Sequence, residues 1–403
     1  MKTDAHTWAF KARFRARAFG WRSQPAIVRI KEAAAEIRSV AKKEPLVAAE
    51  GAVVFLERVS AAIEQVDGSS GSIGTAVNHA IDALVPIIAS APADTKTREN
   101  WLERLFEAHA ADRIPYIERL ADHWGELCAS KAVASAWADR LIDITRLALG
   151  PDPAHRGHFH GTSACLSALF RAERYDELVD LLRGDRLIWE DKKWAAKALA
   201  ADGKQAEALQ FAEACRSPWE SDSRIDELCE EILLSSGQTD EAYQRYALRA
   251  NRAGTYLATF RAVAKKYPHK APSEILTDLV ATTPGQEGKW FAAAKDVGLY
   301  DEALALASRT PCDPKTLARA ARDFIDKQPG FAVGAGLLSL HWLVQGCGYE
   351  ITGADVLEAY GATMCVAERH GGTAAVKARL CAIVSAERAG GFVRRVLGSE
   401  LGL

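Results

Sequence analysis

The chain of 403 residues is 48% hydrophobic and 26% charged, so it can bury a sizeable core in two domains or one elongated array, which excludes disorder and collagen. Its 51 lysines and arginines against 53 aspartates and glutamates leave a net charge of −2. The chain therefore has no overall field that attracts nucleic acid or an anionic membrane, and any such attraction must be local.

Residues 1–24 form a basic, aromatic segment. Residues 1–31 contain eight basic residues and one acidic residue, a net of +7 that leaves −9 on the remainder. Wound as a helix, the segment places Phe10, Phe14 and Trp21 on one stripe, and its alanines favour a helix over the alternative, a half-buried strand. The candidates for binding a polyanion or a partner are Trp8, Lys11, Arg13, Arg15, Arg17, Trp21 and Arg22.

Arginines interleaved with aromatic residues suit phosphate contacts with base stacking, or an acidic protein surface. The preferred interpretation is different: the stripe docks onto a helix predicted at 25–44, and the arginines pair with carboxylates of the same chain, because charge runs are usually solvated faces. A polyanion-binding role and a protein-docking role stay open. Ion pairs within the chain would weaken the polyanion interpretation.

Residues 25–150 are predicted to form about six helices in a HEAT-like domain. Apolar residues recur three and four positions apart and Gly or Pro breakers separate segments of helix length, so we predict an all-α fold. The most apolar stretches, 81–91 and 330–344, are shorter than the roughly 20 residues that span lipid. We expect both to be buried helices and expect no membrane association.

A histidine-rich loop follows at the predicted junction. His155, His158 and His160 are the best metal candidates, because His-x-His in a loop can place two imidazoles near one ion. No partner residue lies at a diagnostic spacing, so ordinary loop histidines are the preferred interpretation. We predict no catalytic residue, no metal and no cofactor; an enzyme would need these histidines to converge with carboxylates in one pocket.

Residues 151–345 repeat the motif Gly-x-x-x-Glu-Ala. The glycines and glutamates of its copies are Gly203, Glu207, Gly237, Glu241, Gly298 and Glu302. A looser copy contains Glu177, and a degenerate copy near Pro272 would fill the longest interval. The glycine ends one helix, and the acidic residues start the next, where the helix dipole favours them. One hairpin cannot cover its own apolar stripe, so neighbouring hairpins must stack.

These copies resemble tetratricopeptide repeats, whose helix-turn-helix unit has about 34 residues. Tyr175 and Tyr300 match the aromatic residue of the turn, and the resemblance, which covers residues 160–345, implies an α-solenoid of helical hairpins. Phrases at 10–22 and 288–295 also look like a bacterial family of helical proteins of unknown role, related to regions that accompany SWIM zinc fingers. That resemblance implies a bacterial origin; the cysteine and histidine pairs of a SWIM finger are absent, so no zinc site carries over.

Residues 346–403 are rich in Gly and Ala, and we predict a helical cap of short helices with a frayed end. The eight cysteines contain no C-x-x-C motif and look like small core residues, which favours a reducing cytoplasm. The amino terminus lacks the apolar stretch of a secretion signal.

The leading functional hypothesis is a non-enzymatic, cytoplasmic α-solenoid that acts as an adaptor or scaffold and holds a protein partner on its concave face. The alternative is a nucleic-acid-associated accessory protein, in a mobile-element or defence setting, that uses the basic amino-terminal segment. The oligomeric state stays open.

Overall fold

A computed structural model describes residues 6–150, 152, 157–184, 187–217, 222–388 and 390–403. Throughout these residues the chain forms helices joined by turns and short loops, without a β-strand. The prediction of an all-α fold made of helical hairpins is therefore confirmed. The chain divides into two compact units, residues 1–228 and 229–403. This division lies inside the predicted 151–345 segment, whose own boundaries stay predictions.

The first unit begins with a set of long helices and continues with shorter hairpins. Its helices are α1 (Ser23–Ala41), α2 (Pro45–Ile63), α3 (Ser72–Ser90), α4 (Thr95–Ala110), a 3-10 helix (Glu118–His123), α5 (Trp124–Leu127), α6 (Lys131–Leu149), α7 (Thr162–Arg171), α8 (Tyr175–Leu181), α9 (Trp189–Ala201) and α10 (Gln205–Ala214). The next helix, α11 (Asp222–Ser235), contains the boundary between the units.

Helices α1, α2 and α3 pack against one another. Helix α3 alone among the described helices is long and apolar enough, by length and composition, to cross a membrane. Its Ile81, Leu84 and Val85 are nevertheless buried in the core of the first unit, as the apolar face of a packed helix would be. Buried Arg98 satisfies carbonyl groups at the carboxyl-terminal end of α3, since its guanidinium donates to the oxygens of Ile88 (2.8 Å) and Ala91 (2.7 Å).

The second unit holds the remaining hairpins and a carboxyl-terminal helical group. Its helices are α12 (Thr239–Ala242), a π-helical turn (Tyr243–Ala247), α13 (Leu248–Ala250), α14 (Tyr256–Lys266), α15 (Pro272–Ala281), a 3-10 helix (Glu287–Trp290), α16 (Phe291–Asp296), α17 (Tyr300–Arg309), α18 (Pro314–Asp323), α19 (Pro329–Val344), α20 (Gly353–His370), α21 (Thr373–Ser385) and α22 (Phe392–Leu401). Pro272, Pro314 and Pro329 are the first residues of helices, where a missing amide proton is harmless.

The glycines of the repeated motif end α9, α11 and α16 with one hydrogen-bond pattern. The amide of Gly203 donates to the oxygen of Ala200 (3.1 Å), and the next amide donates to the oxygen of Leu199 (2.9 Å). Gly237 and Gly298 make the equivalent pair of bonds, and all three glycines have positive φ, at 82°, 77° and 77°. This is the Schellman motif, which favours glycine because the left-handed region penalises a Cβ atom.

The looser copy of the motif adopts the same turn without a glycine. Glu173, between α7 and α8, has a φ of 60°. Its amide donates to the oxygen of Phe170 (3.1 Å), and the amide of Arg174 donates to that of Leu169 (3.0 Å). The hairpin at α14 and α15, which occupies the position of the predicted degenerate copy, has no such turn and instead starts its second helix at Pro272.

In the carboxyl-terminal segment, Gly371-Gly372 and Gly390-Gly391 lie between α20, α21 and α22, as predicted, and the role of the segment as a cap with a frayed end stays a prediction. Helix α20 has 18 residues and starts with a capping box formed by Thr352 and Asp355. Helix α22 continues to Leu401, and its Val393 and Leu397 are fully buried. The apolar residues between these glycines recur at helical spacing and form a shared core with α19 and α20.

Candidate functional site

The amino-terminal segment is not the helix that its alanines predicted. Residues 9–13 and 16–17 form turns, and Arg17 has a φ of 56°, which interrupts a helix. The segment is tied to α2 by its backbone, because the amides of Arg17 and Phe19 donate to the oxygens of Ala61 (2.8 Å) and Ala62 (3.3 Å). Tertiary packing of the aromatic residues overrides the local helix propensity of the alanines.

Aromatic packing holds this segment in the core of the first unit. Phe10 and Phe14 are 2% and 1% exposed, and their ring centroids lie 5.6 Å and 5.1 Å from that of Phe55 on α2. Trp8 covers Gly51, where an added Cβ atom would lie 2.1 Å from the indole ring. The aromatic residues therefore pack against α2, and Phe10 and Phe14 also line a pocket with Ala33 of α1, the helix on which the prediction placed them.

The charges of this segment are only partly neutralised by the same chain. Arg13 pairs with Glu32 of α1 at 3.1 Å, and Arg17 pairs with Glu64 at 3.0 Å. No described residue forms an ion pair with the three other predicted cations, and Trp21 is 71% exposed. Those cations are Lys11, Arg15 and Arg22. The segment is thus a core element with a residual basic surface.

The predicted histidine loop lines a cavity of about 570 Å³ in the first unit. His155 lies outside the described residues. His158 Nε2 and His160 Nδ1 are 3.3 Å apart, and the backbone oxygen of His160 is 2.9 Å from Nε2 of buried His109. Because a carbonyl only accepts, Nε2 of His109 donates in this contact, and Nδ1 of His109 is buried without a hydrogen-bond partner among the described residues.

Four carboxylates line the same histidine cavity, namely Asp112, Glu118, Glu190 and Asp191. Asp112 accepts from the amide of Ile117 (2.8 Å), and Glu190 binds Lys193 (2.8 Å), so both are engaged by the chain itself. Burial raises the pKa of Asp191 above its ordinary value. Among the described residues, no three His, Cys, Asp or Glu side chains are grouped to hold a metal ion.

The second unit contains a groove that the sequence reasoning missed. We call it the Arg252 groove and define it by Tyr246, Arg249, Arg252, Tyr256, Thr282 and Trp290, which line a cavity of about 460 Å³. One wall is the π-helical turn at 243–247 with α13, and another is the start of α14. Single π-turns inside helices are frequent at functional sites.

Arginines dominate the charge of the Arg252 groove. Arg245, Arg249 and Arg252 line it, and none of its described lining residues is an aspartate or glutamate. Arg245 pairs with Glu241 of the repeated motif at 2.6 Å. Arg252 is exposed, and no described residue forms an ion pair with it. The available signal was the spacing of these arginines, four and three residues apart, which places them on one helical face.

A buried polar cluster anchors the chain next to the groove. Glu230 of α11 is fully buried and accepts from the hydroxyl of Tyr267 (2.7 Å), Lys266 Nζ (2.6 Å) and Asn251 Nδ2 (2.7 Å). Asn251 Nδ2 also lies 2.8 Å from the oxygen of Ala247. Burial and the bond to Glu230 raise the pKa of Tyr267, which stays neutral. Asn251, the residue before Arg252, is therefore held in place by buried Glu230.

No model of a known protein family matches this chain, and no curated protein matches it.

Proposed function

We propose that the chain is a non-enzymatic helical-repeat adaptor that holds a segment of a partner protein in the Arg252 groove of the second unit. The observation that carries the proposal is the groove, whose volume of about 460 Å³ is in the range of ligand pockets. It combines exposed Arg252 with half-buried Tyr256. Arginine and aromatic residues are the types that dominate binding energy at protein interfaces.

The hairpin architecture supports the same proposal. Stacked helical hairpins present extended surfaces, although a fold alone does not set a function. The resemblance to tetratricopeptide repeats, a cytoplasmic location and a bacterial origin belong to this proposal as well. The absence of catalysis is also part of it: Asp112 and Glu190, two of the carboxylates that meet the histidines, are already bound by neighbouring groups.

Peptide selection tests this function directly. A library of short random peptides is selected on the full chain, and enriched peptides are measured on Tyr256→Ala, with Tyr349→Ala as the matched control because Tyr349 is 81% exposed in the same unit. We expect enriched peptides whose binding is lost on Tyr256→Ala and kept on Tyr349→Ala. No enrichment, or equal binding by both variants, would contradict the proposal; thermal melting checks that both variants fold.

The basic surface of the amino-terminal segment favours a second candidate, contact with single-stranded nucleic acid. Arg15 and Arg22 have no described ion-pair partner, and Trp21, the neighbour of Arg22 in sequence, is exposed, so cations and one stacking ring are displayed. Binding of a labelled single-stranded oligonucleotide should fall with salt and on Arg22→Glu, but not on Arg13→Glu. Arg13 is the control because, unlike Arg22, it already pairs with a carboxylate of the chain, Glu32, which it shares with Arg29.

A further inference from the structure

We infer that the Arg252 groove recognises acidic peptide segments, with a partner carboxylate on the guanidinium of Arg252 and an adjacent apolar side chain of the partner against Tyr256. This inference rests on the proposed function, because it names the class of partner for the same groove.

The charges of the residues that line the groove favour an acidic ligand. The described lining residues include three arginines and no carboxylate, in a chain whose net charge is −2. Arg245 is held by Glu241, and Arg249 Nη2 donates to the backbone oxygen of Arg245 (3.1 Å). Arg252 is the arginine of the groove with no described partner. A planar guanidinium binds a carboxylate through two parallel hydrogen bonds, which makes an acidic side chain its best-matched ligand.

The backbone on both sides of Arg252 is held in place. Asn251 is tied to buried Glu230 at 2.7 Å, and the amide of Ala253 donates to Thr259 Oγ1 (2.9 Å). Thr255 caps α14 by accepting from the amide of Ala258 (3.1 Å). Because this loop is already ordered, a ligand that binds the guanidinium loses less conformational entropy than one that must order a mobile loop.

The aromatic wall of the groove has its polar atoms engaged. Trp290 Nε1 donates to Thr283 Oγ1 (2.8 Å), and the hydroxyl of Tyr256 donates to Gln286 Oε1. The rings of Tyr256 and Trp290 meet edge to face, with centroids 4.7 Å apart. Lys289 Nζ lies 5.6 Å from the centroid of the Tyr256 ring, so what Tyr256 offers a ligand is the rest of its ring surface, which suits an apolar side chain rather than another hydrogen-bonding group.

The groove favours a peptide over a nucleic acid. Single-stranded nucleic acid is bound by successive stacking rings along a basic track. Here Trp290 and Tyr246 are buried, at 2% and 1% exposure, so Tyr256 is the one accessible ring among the described aromatic residues of the lining. One accessible ring beside one guanidinium that has no described partner matches a pair of neighbouring side chains on a peptide.

The test uses the full chain and three labelled peptides that share a central Leu-Phe pair and differ only in their flanks, which are Asp/Glu, Ser/Gly or Lys/Arg. Binding is measured by fluorescence anisotropy on the natural chain, on Tyr256→Ala, on Arg252→Glu and on Arg395→Glu. Arg395 is the matched control, since it is an exposed arginine of the same unit with no described partner. A labelled single-stranded oligonucleotide forms a further arm.

The inference predicts that the acidic peptide binds best, weakens about tenfold or more on Arg252→Glu, and is unchanged on Arg395→Glu. Arg252→Glu should bind the Lys/Arg peptide more tightly than the natural chain does. If the neutral or basic peptide binds the natural chain best in a Tyr256-dependent way, the acidic class is wrong while the adaptor function stands. If no peptide binds, both the acidic-peptide inference and the adaptor function fail. If the oligonucleotide binds more tightly than every peptide and its binding depends on Arg252, the inference is overturned.

Discussion

The amino-terminal segment and the Arg252 groove contain the same residue types, arginines beside aromatic rings, and they use them differently. In the segment, Phe10 and Phe14 are buried and Arg13 and Arg17 are paired with carboxylates. In the groove, Arg252 has no described partner and Tyr256 is half-buried next to an open cavity. Composition alone therefore does not distinguish a core element from a binding surface; the positions of the carboxylates do.

The largest effect is expected in the segment. Phe14→Ala should lower the free energy of unfolding by about 3 to 5 kcal/mol, because it empties a site packed against Phe55. Trp21→Ala is the control, and its 71% exposure predicts a change within about 0.5 kcal/mol. Denaturant titration measures both. Equal effects of the two variants would show that the segment is not part of the core.

The next largest loss of stability is expected in the polar cluster of Tyr267 and Glu230 next to the groove. Tyr267→Phe removes the hydroxyl that donates to buried Glu230, and we expect a loss of about 1 to 3 kcal/mol in the free energy of unfolding. Tyr349→Phe, at an exposed position, should change it by less than about 0.5 kcal/mol. A neutral Tyr267→Phe would mean that the polar cluster does not hold the loop of Arg252.

The same tyrosine predicts a pH dependence. Its pKa is raised in the folded chain, first by burial and then by Glu230, whereas an unfolded tyrosine ionises near about pH 10. The stability from this group is therefore complete below about pH 10 and falls as the pH rises above it. The difference between the natural chain and Tyr267→Phe should shrink above that pH, and a constant difference would contradict the assignment.

Substitutions in two equivalent turns should change stability by smaller amounts and in opposite directions. Gly237→Ala places a Cβ atom at a φ of 77° and should destabilise the chain by about 1 kcal/mol. Glu173→Gly relieves a φ of 60° and should stabilise the chain. The gain is reduced by the loss of the exposed ion pair between Glu173 and Lys131, which contributes little. Melting curves of both variants check the signs, and a shift in the same direction would refute the equivalence of the two turns.

The smallest effect concerns the neutralised charges of the segment. Arg13→Ala removes a half-exposed ion pair with Glu32 and should change the free energy of unfolding by less than about 0.5 kcal/mol. Denaturant titration measures this change, and the loss measured for Phe14→Ala is the reference for a large effect. A loss as large as that of Phe14→Ala would mean that charge, rather than aromatic packing, anchors the segment.

The fold was predictable because its signals are local. Gly203, Gly237 and Gly298 mark helix ends through a conformation that disfavours side chains, so the hairpins follow from the sequence. The amino-terminal segment was predicted wrongly as a helix, because its conformation depends on distant partners such as Phe55 and Gly51. The groove was missed for a related reason: the arginine spacing at 245–252 is visible, but which described residues line the groove with them appears only in the folded unit.

The most direct test compares charge reversal in the two regions with one acidic peptide. Anisotropy titrations on Arg252→Glu and on Arg13→Glu, under identical salt, ask which arginine faces the partner. Our account predicts that Arg252→Glu weakens binding about tenfold or more while Arg13→Glu leaves it unchanged. Equal weakening by both, or loss on Arg13→Glu alone, would contradict the assignment of the binding surface to the second unit.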